Sequence, residues 1–178
     1  MTFPTYLTLL RIVLAIISTV FFMLPYSWAK ITALVIFIIA SLTDRVDGYL
    51  ARKYKQVTDL GAFLDPLADK MLINLTFLVF VFQSIVPLWV FAVILVRDFA
   101  VDGMRMMAAR HKTTIAASFY GKLKTTIQMV ALIIIAFANI IQNQPLTIIG
   151  DIILYIALAL TVFSGLDYLI KGRKLLAK

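Results

Sequence analysis

The sequence contains no cysteine and no glutamate, and its only histidine is His111. Without cysteine the chain cannot form a disulfide scaffold, a zinc–thiolate site or a thiol nucleophile. A single histidine also argues against a histidine-rich metal site. All nine acidic residues are therefore aspartates, whereas a water-exposed helical surface normally carries glutamate as well. The aspartates are therefore not explained as part of a solvated helical surface, and each is a candidate for a specific role.

Charged residues of either sign are scarce. They make up 15% of the 178 residues, whereas 62% are hydrophobic, and the mean hydropathy is +0.99. A compact soluble domain of this size could not bury so much apolar surface. The composition therefore excludes a soluble globular enzyme and indicates that lipid is the solvent of most side chains.

Uncharged runs, separated by charged or turn-forming residues, predict six membrane-spanning helices. Such a helix needs about 20 apolar residues, and two longer apolar stretches are divided by Gln83, Ser84 and Pro87 and by residues 142–145. We therefore expect an all-α integral membrane protein with a short N-terminal interfacial segment and a single domain over residues 1–178. The predicted spans are 8–28, 31–51, 61–82, 87–109, 122–141 and 147–170.

Lysine and arginine accumulate at one end of the predicted helices. Cytoplasmic loops of membrane proteins carry an excess of these residues, and only Lys30 falls on the opposite side. An even number of spans then places both termini, and any site at that end, on the cytoplasmic face of the cell membrane. The net charge of +8 is explained by anionic lipid headgroups, so no nucleic-acid partner is expected.

Four of the nine aspartates lie in two short segments, residues 44–52 and 61–70. Asp44 and Asp47 are three residues apart and Asp65 and Asp69 are four apart, so on helices each pair projects from one face. A short basic loop makes the two helices antiparallel neighbours, and the four carboxylates can converge. Hard divalent cations prefer oxygen ligands, which predicts Mg²⁺ or Mn²⁺ here. Two such ions close together would form a clamp for phosphoryl transfer.

The residues around these aspartates suit a phosphorylated ligand. Gly48, Ala51 and Gly61 would let a large ligand or a facing helix approach the backbone, and Arg52 could bind a phosphate in bidentate fashion. Charges alone leave two other interpretations open. The cluster could form interfacial salt bridges beside ordinary helix-packing residues, or it could line a cation channel or transporter.

Eight residues at fixed spacing resemble the signature of the CDP-alcohol phosphotransferase family of integral membrane enzymes. The pattern reads Asp44-x-x-Asp47-Gly48-x-x-Ala51-Arg52, then eight residues, then Gly61-x-x-x-Asp65-x-x-x-Asp69. The resemblance implies the family's six-helix fold and two divalent metal ions, Mg²⁺ or Mn²⁺. It also implies transfer of a phosphatidyl or similar group from a CDP-linked donor to an alcohol, with release of CMP.

The resemblance also implies a role for each residue of the pattern. The metal ligands would be Asp44, Asp47, Asp65 and Asp69, and Asp69 would in addition be the general base. The residues bordering the cytidine diphosphate of the donor would be Asp44, Gly48, Ala51, Arg52 and Gly61.

Over nearly its whole length the chain most resembles family members that use CDP-diacylglycerol as donor and glycerol 3-phosphate as acceptor. An acceptor with a phosphate dianion needs fixed cations, for which the candidates are Arg97, Arg105, Lys122 and Lys124. Alternatively, Arg97 pairs with a nearby aspartate and the lysines only follow the positive-inside bias. The acceptor could also be inositol phosphate, serine or phosphatidylglycerol. A homodimer surrounded by membrane lipids is a further implication of the resemblance.

Overall fold

The computed structural model describes residues 3–54, 59–110 and 119–176, and within these ranges the chain is helical apart from short turns and contains no strand. The expected all-α, six-helix architecture is confirmed. Helices satisfy every backbone hydrogen bond internally, which a segment in lipid requires. The helices are α1 (Phe3–Met23), α2 (Ser27–Tyr54), α3 (Asp59–Phe82), α4 (Leu88–Arg110), α5 (Phe119–Ile141) and α6 (Gln144–Leu176).

The turn between α3 and α4 lies where Gln83, Ser84 and Pro87 predicted it. Ser84 adopts a left-handed conformation with φ of 58°. The Ile85 N–H donates to the Phe80 carbonyl at 2.8 Å, and the Ser84 N–H donates to Val81 at 3.0 Å. This pair of bonds is the Schellman motif, which caps the last carbonyls of a helix.

The turn between α5 and α6 is built in a similar way. Gln142 has a φ of 54°, and the Asn143 N–H donates to the Ala138 carbonyl at 3.0 Å. The Asn143 side chain then accepts a hydrogen bond from the Leu146 N–H at 2.9 Å. Asn143 therefore ends one helix and acts as the N-cap of the next.

The first helix differs from the expected span of residues 8–28. It begins at Phe3 and ends at Met23, so the expected interfacial segment is the first part of α1. The early end follows from Pro25, because a proline disfavours helical geometry at the residue before it and offers no N–H to continue the ladder. A new helix then begins at Ser27.

Three helices have segments that are long and apolar enough to cross a membrane by themselves, among the residues described: Tyr6–Met23, Leu123–Ile141 and Gln144–Tyr168. Shorter apolar segments occupy Ser27–Thr43 and Lys70–Phe82. Large apolar side chains are exposed along the outside of the bundle, as expected of a lipid-facing surface.

The helices pack in two groups that share one apolar core. α1 packs against α2 and α3, α6 packs against α5 and α4, and contacts between α2 and α5 join the groups. Gly150 allows close packing of α6 on α5, because a Cβ there would lie 2.6 Å from Ile135 Cγ1. At one end of the contact between α2 and α5, the Lys30 ammonium donates to Asn139 Oδ1 at 3.3 Å.

Most of the other charged residues of the helices lie toward the opposite end of the bundle. Successive helices alternate in direction, so the last turns of α2, α4 and α6 lie at the same end as the first turns of α1, α3 and α5. We call this end the polar end. Both halves of the aspartate pattern and most basic residues belong to it.

Candidate active site

The four predicted metal-binding aspartates fall on two neighbouring helices at the polar end. Asp44 and Asp47 lie in the last part of α2, and Asp65 and Asp69 lie in the first part of α3; the two helices are in contact. The side chains of these aspartates lie outside the described residues, and so do those of the predicted donor-binding positions Gly48, Ala51, Arg52 and Gly61. Among the side chains that the structure does describe, no group of three His, Cys, Asp or Glu residues could hold a metal ion.

Helix α4 carries four charged residues whose side chains the structure describes at the polar end. Arg97 and Arg105 are two turns apart, and Asp98 and Asp102 are one turn apart. Charged side chains within a membrane-spanning helix are costly unless they face partners inside the bundle. Each of the four contacts at least one polar side chain from another helix.

Arg97 uses three donors, two of which join α4 to α6. Its Nε donates to the Thr161 carbonyl at 3.2 Å, its Nη2 donates to Ser164 Oγ at 2.6 Å, and its Nη1 donates to Asp98 Oδ1 at 3.1 Å. Gly165 makes room for this side chain, because a Cβ at that position would lie 2.9 Å from Arg97 Cγ. The guanidinium is thereby fixed in one orientation.

Two lysines from other helices pair with the aspartates of α4. Lys124 of α5 is buried and bonds to the Asp98 carboxylate, and Lys70 of α3 bonds to Asp102. Asp98 thus links Lys124 to Arg97. The positive-inside bias alone would leave Lys124 at a solvated surface, whereas the structure places it inside the bundle.

Arg105 lies against the ring of Tyr168. Its Nη2 donates to Tyr168 Oη at 2.6 Å, and its guanidinium carbon lies 5.2 Å from the ring centroid. The guanidinium carbon of Arg97 lies 5.8 Å from the same centroid. The Arg105 Nε is buried and has no hydrogen-bond partner in the described part of the chain. A buried guanidinium N–H without an acceptor is costly, so this group is available to an anionic ligand.

The structure brings together three of the four predicted phosphate-binding cations. Arg97 and Lys124 share the Asp98 carboxylate, and Arg97 and Arg105 share the Tyr168 ring. The side chain of the fourth, Lys122, lies outside the described residues.

Sequence reasoning gave no role to several residues that build this cluster: Asp98, Asp102, Thr161, Ser164, Gly165 and Tyr168. Their signal in the sequence is polar residues at helical spacing within otherwise apolar stretches of α4 and α6. Arg11 is a further residue to which sequence reasoning gave no role within the bundle. The structure buries Arg11 inside the bundle, together with Thr8 one turn before it.

Comparison with known proteins identifies the family. Residues 1–163 match the CDP-alcohol phosphatidyltransferase family. A Bacillus subtilis protein named CDP-diacylglycerol–glycerol-3-phosphate 3-phosphatidyltransferase is 37% identical, and the alignment covers 95% of this chain and 94% of that protein. Proteins of the same name from Salmonella typhimurium and Rickettsia bellii are each 38% identical, with 96% and 93% of this chain and 94% and 92% of theirs covered. This chain therefore belongs to the CDP-alcohol phosphatidyltransferase family.

Proposed function

We propose that this protein transfers the phosphatidyl group of CDP-diacylglycerol to glycerol 3-phosphate, with phosphatidylglycerophosphate and CMP as products. Relatives aligned over nearly their full lengths carry the name of this reaction. The structural observation that supports it best is the buried Arg105 Nε, which lacks an acceptor among the described residues.

The charge balance of the cluster favours an acceptor that carries a phosphate. In the contacts of the described side chains, four cations accompany two carboxylates: Lys70, Arg97, Arg105 and Lys124 with Asp98 and Asp102. A phosphomonoester carries about two negative charges near neutral pH, so glycerol 3-phosphate would balance the cluster. Serine has no phosphate and would bring no such charge.

The aspartates of α2 and α3 are proposed to hold Mg²⁺ or Mn²⁺, two ions per site. Their donor atoms are all carboxylate oxygens, which suits hard divalent cations. We assign Asp44, Asp47 and Asp65 as ligands and Asp69 as both ligand and base. When bound, the ions supply charge stabilisation at the phosphoryl oxygens.

The remaining chemistry is assigned to the side chains of the chain. Arg97, Arg105 and Lys124, with Lys122, would hold the acceptor phosphate, and Asp69 would remove the proton from its hydroxyl. The hydroxyl oxygen forms a bond to the phosphorus that bears the diacylglycerol. The bond from that phosphorus to the oxygen of CMP breaks, and CMP departs from a pocket bordered by Asp44, Gly48, Ala51, Arg52 and Gly61.

The apolar helices identify a membrane protein. We propose that residues 1–178 form one domain in the cell membrane, with both termini and the polar end facing the cytoplasm, where the soluble acceptor would have access. Association into a homodimer is proposed from family resemblance.

The test is CMP release by the purified protein in detergent, with CDP-diacylglycerol and Mg²⁺. Glycerol 3-phosphate, inositol phosphate, serine and phosphatidylglycerol are compared as acceptors, each with and without EDTA. Release with glycerol 3-phosphate that EDTA abolishes is the expected result. Release only with a different alcohol would refute the acceptor assignment, and no release with any of the four would refute the transferase assignment.

A further inference from the structure

Tyr168 occupies an unusual place in the cluster, because both arginines of α4 lie against its ring. We infer that Tyr168 is a positioning residue for the acceptor phosphate, which holds Arg105 through Nη2 and leaves the Nε–H of the guanidinium for the ligand. This inference rests on the proposed function, in which Arg105 binds that phosphate.

The geometry restricts Arg105 at two points. The Tyr168 hydroxyl accepts a hydrogen bond from Nη2 at 2.6 Å, and the guanidinium carbon lies 5.2 Å from the ring centroid, within the range of a cation–π contact. An arginine side chain has many rotamers, and ordering it at the moment of binding would cost affinity. A guanidinium that is already fixed avoids that cost.

The position of Tyr168 makes it a rigid support. It is 2% exposed and belongs to α6, so water does not compete for its contact with Arg105. The same ring lies 5.8 Å from the Arg97 guanidinium carbon, which Thr161 and Ser164 fix from the same helix. One helix thus determines the positions of both cations.

The contacts of Tyr168 leave the Nε of Arg105 uncommitted. This atom is buried and has no acceptor within the described residues, although the neighbouring Nη2 is bonded. A tyrosine that served packing alone would not need to bond Nη2 beside an Nε–H that has no acceptor. A phosphate oxygen is the acceptor that this N–H suits, because hydrogen bonds between arginine and phosphate are charge-assisted and strong.

The experiment compares Tyr168→Phe, which keeps the ring and removes the hydroxyl, with Tyr155→Phe. Tyr155 lies on the same helix, where its ring stacks on Trp89 away from the cluster, so it provides a matched control. For each variant we would measure KM for glycerol 3-phosphate and for CDP-diacylglycerol, kcat, and competitive inhibition by inorganic phosphate.

For Tyr168→Phe we expect KM for glycerol 3-phosphate to rise about tenfold, the effect of losing one hydrogen bond to a charged group. The inhibition constant of inorganic phosphate should rise by a similar factor, whereas kcat and KM for CDP-diacylglycerol should stay within about twofold of wild type. Tyr155→Phe should change none of these values by more than about twofold. In an Arg105→Lys background, Tyr168→Phe should have little further effect on KM, because the two residues act as a unit.

Unchanged KM for glycerol 3-phosphate in Tyr168→Phe would overturn the inference and leave the proposed function intact. Parallel losses for both substrates, or full additivity with Arg105→Lys, would assign Tyr168 a purely structural role and would also overturn it. Failure of the wild-type protein to release CMP with glycerol 3-phosphate would instead refute the proposed function.

Discussion

The substitution Asp98→Asn should strongly destabilise the protein, because the Asp98 carboxylate compensates the charges of two buried cations, Arg97 and Lys124. The side chains of Lys124 and Arg97 are only 5% and 12% exposed, so water cannot replace the lost charge. Removing one partner of a buried ion pair costs about 3–5 kcal/mol. Arg97 keeps its bonds to Thr161 and Ser164, which places the expected loss near the lower limit, at about 3 kcal/mol. For a chain of this length that loss lowers the unfolding midpoint by roughly 6–12 °C.

The assay is thermal unfolding of purified variants in one detergent at one scan rate, with Asp151→Asn as the control. Asp151 lies in α6 outside the cluster, and its replacement should shift the midpoint by no more than about 2 °C. Adding Lys124→Met to Asp98→Asn removes the buried ammonium as well, so the double variant should recover most of the lost stability although it would bind the acceptor poorly. A loss below about 2 °C for Asp98→Asn, or a double variant no more stable than Asp98→Asn, would refute the reasoning.

Substitutions of Gly165 and Asp69 test the proposed site by kinetics, and a substitution of Gly150 is the control for the first. Gly165→Ala should raise KM for glycerol 3-phosphate several-fold, because its Cβ would lie 2.9 Å from Arg97 Cγ and displace that side chain; steady-state kinetics would measure this. Gly150→Ala crowds Ile135 between α5 and α6, away from Arg97, and should cost about 1–3 kcal/mol of stability with unchanged KM. Equal KM values for the two variants would contradict the assignment of Arg97. Asp69→Asn should abolish CMP release while the circular dichroism spectrum and elution volume stay unchanged, and near wild-type turnover would exclude Asp69 as the base.

The parts of the fold that local sequence patterns determine could be predicted. Turn residues mark both sharp reversals, and uncharged runs give the six helices. The expected span of residues 8–28 extends past Pro25, whereas α1 ends at Met23. A proline disfavours helical geometry at the residue before it, so the sequence does contain the information that ends this helix. The aspartate pattern was readable because all its residues lie within two neighbouring helices.

The partners within the cluster could not be predicted in this way. Arg97 meets Ser164 across 67 positions of the chain, and Arg105 meets Tyr168 across 63. Only the packing of α4 alongside α6 brings these residues together. Periodicity identifies which side of a helix is polar, but it does not say which helix will lie against that side.

The position of α4 in the bundle connects its composition to the proposed chemistry. No stretch of α4 is apolar enough to cross a membrane alone, among the residues described, because charged residues interrupt it. Each of its aspartates is paired with a lysine from a different helix, which offsets the cost of burying carboxylates. Arg97 pairs with Asp98, and both arginines are also held by neutral groups, the Thr161 carbonyl and the hydroxyls of Ser164 and Tyr168. The same contacts that allow α4 to lie in the membrane also fix two oriented cations, and in the proposed function these cations bind the phosphate of the acceptor.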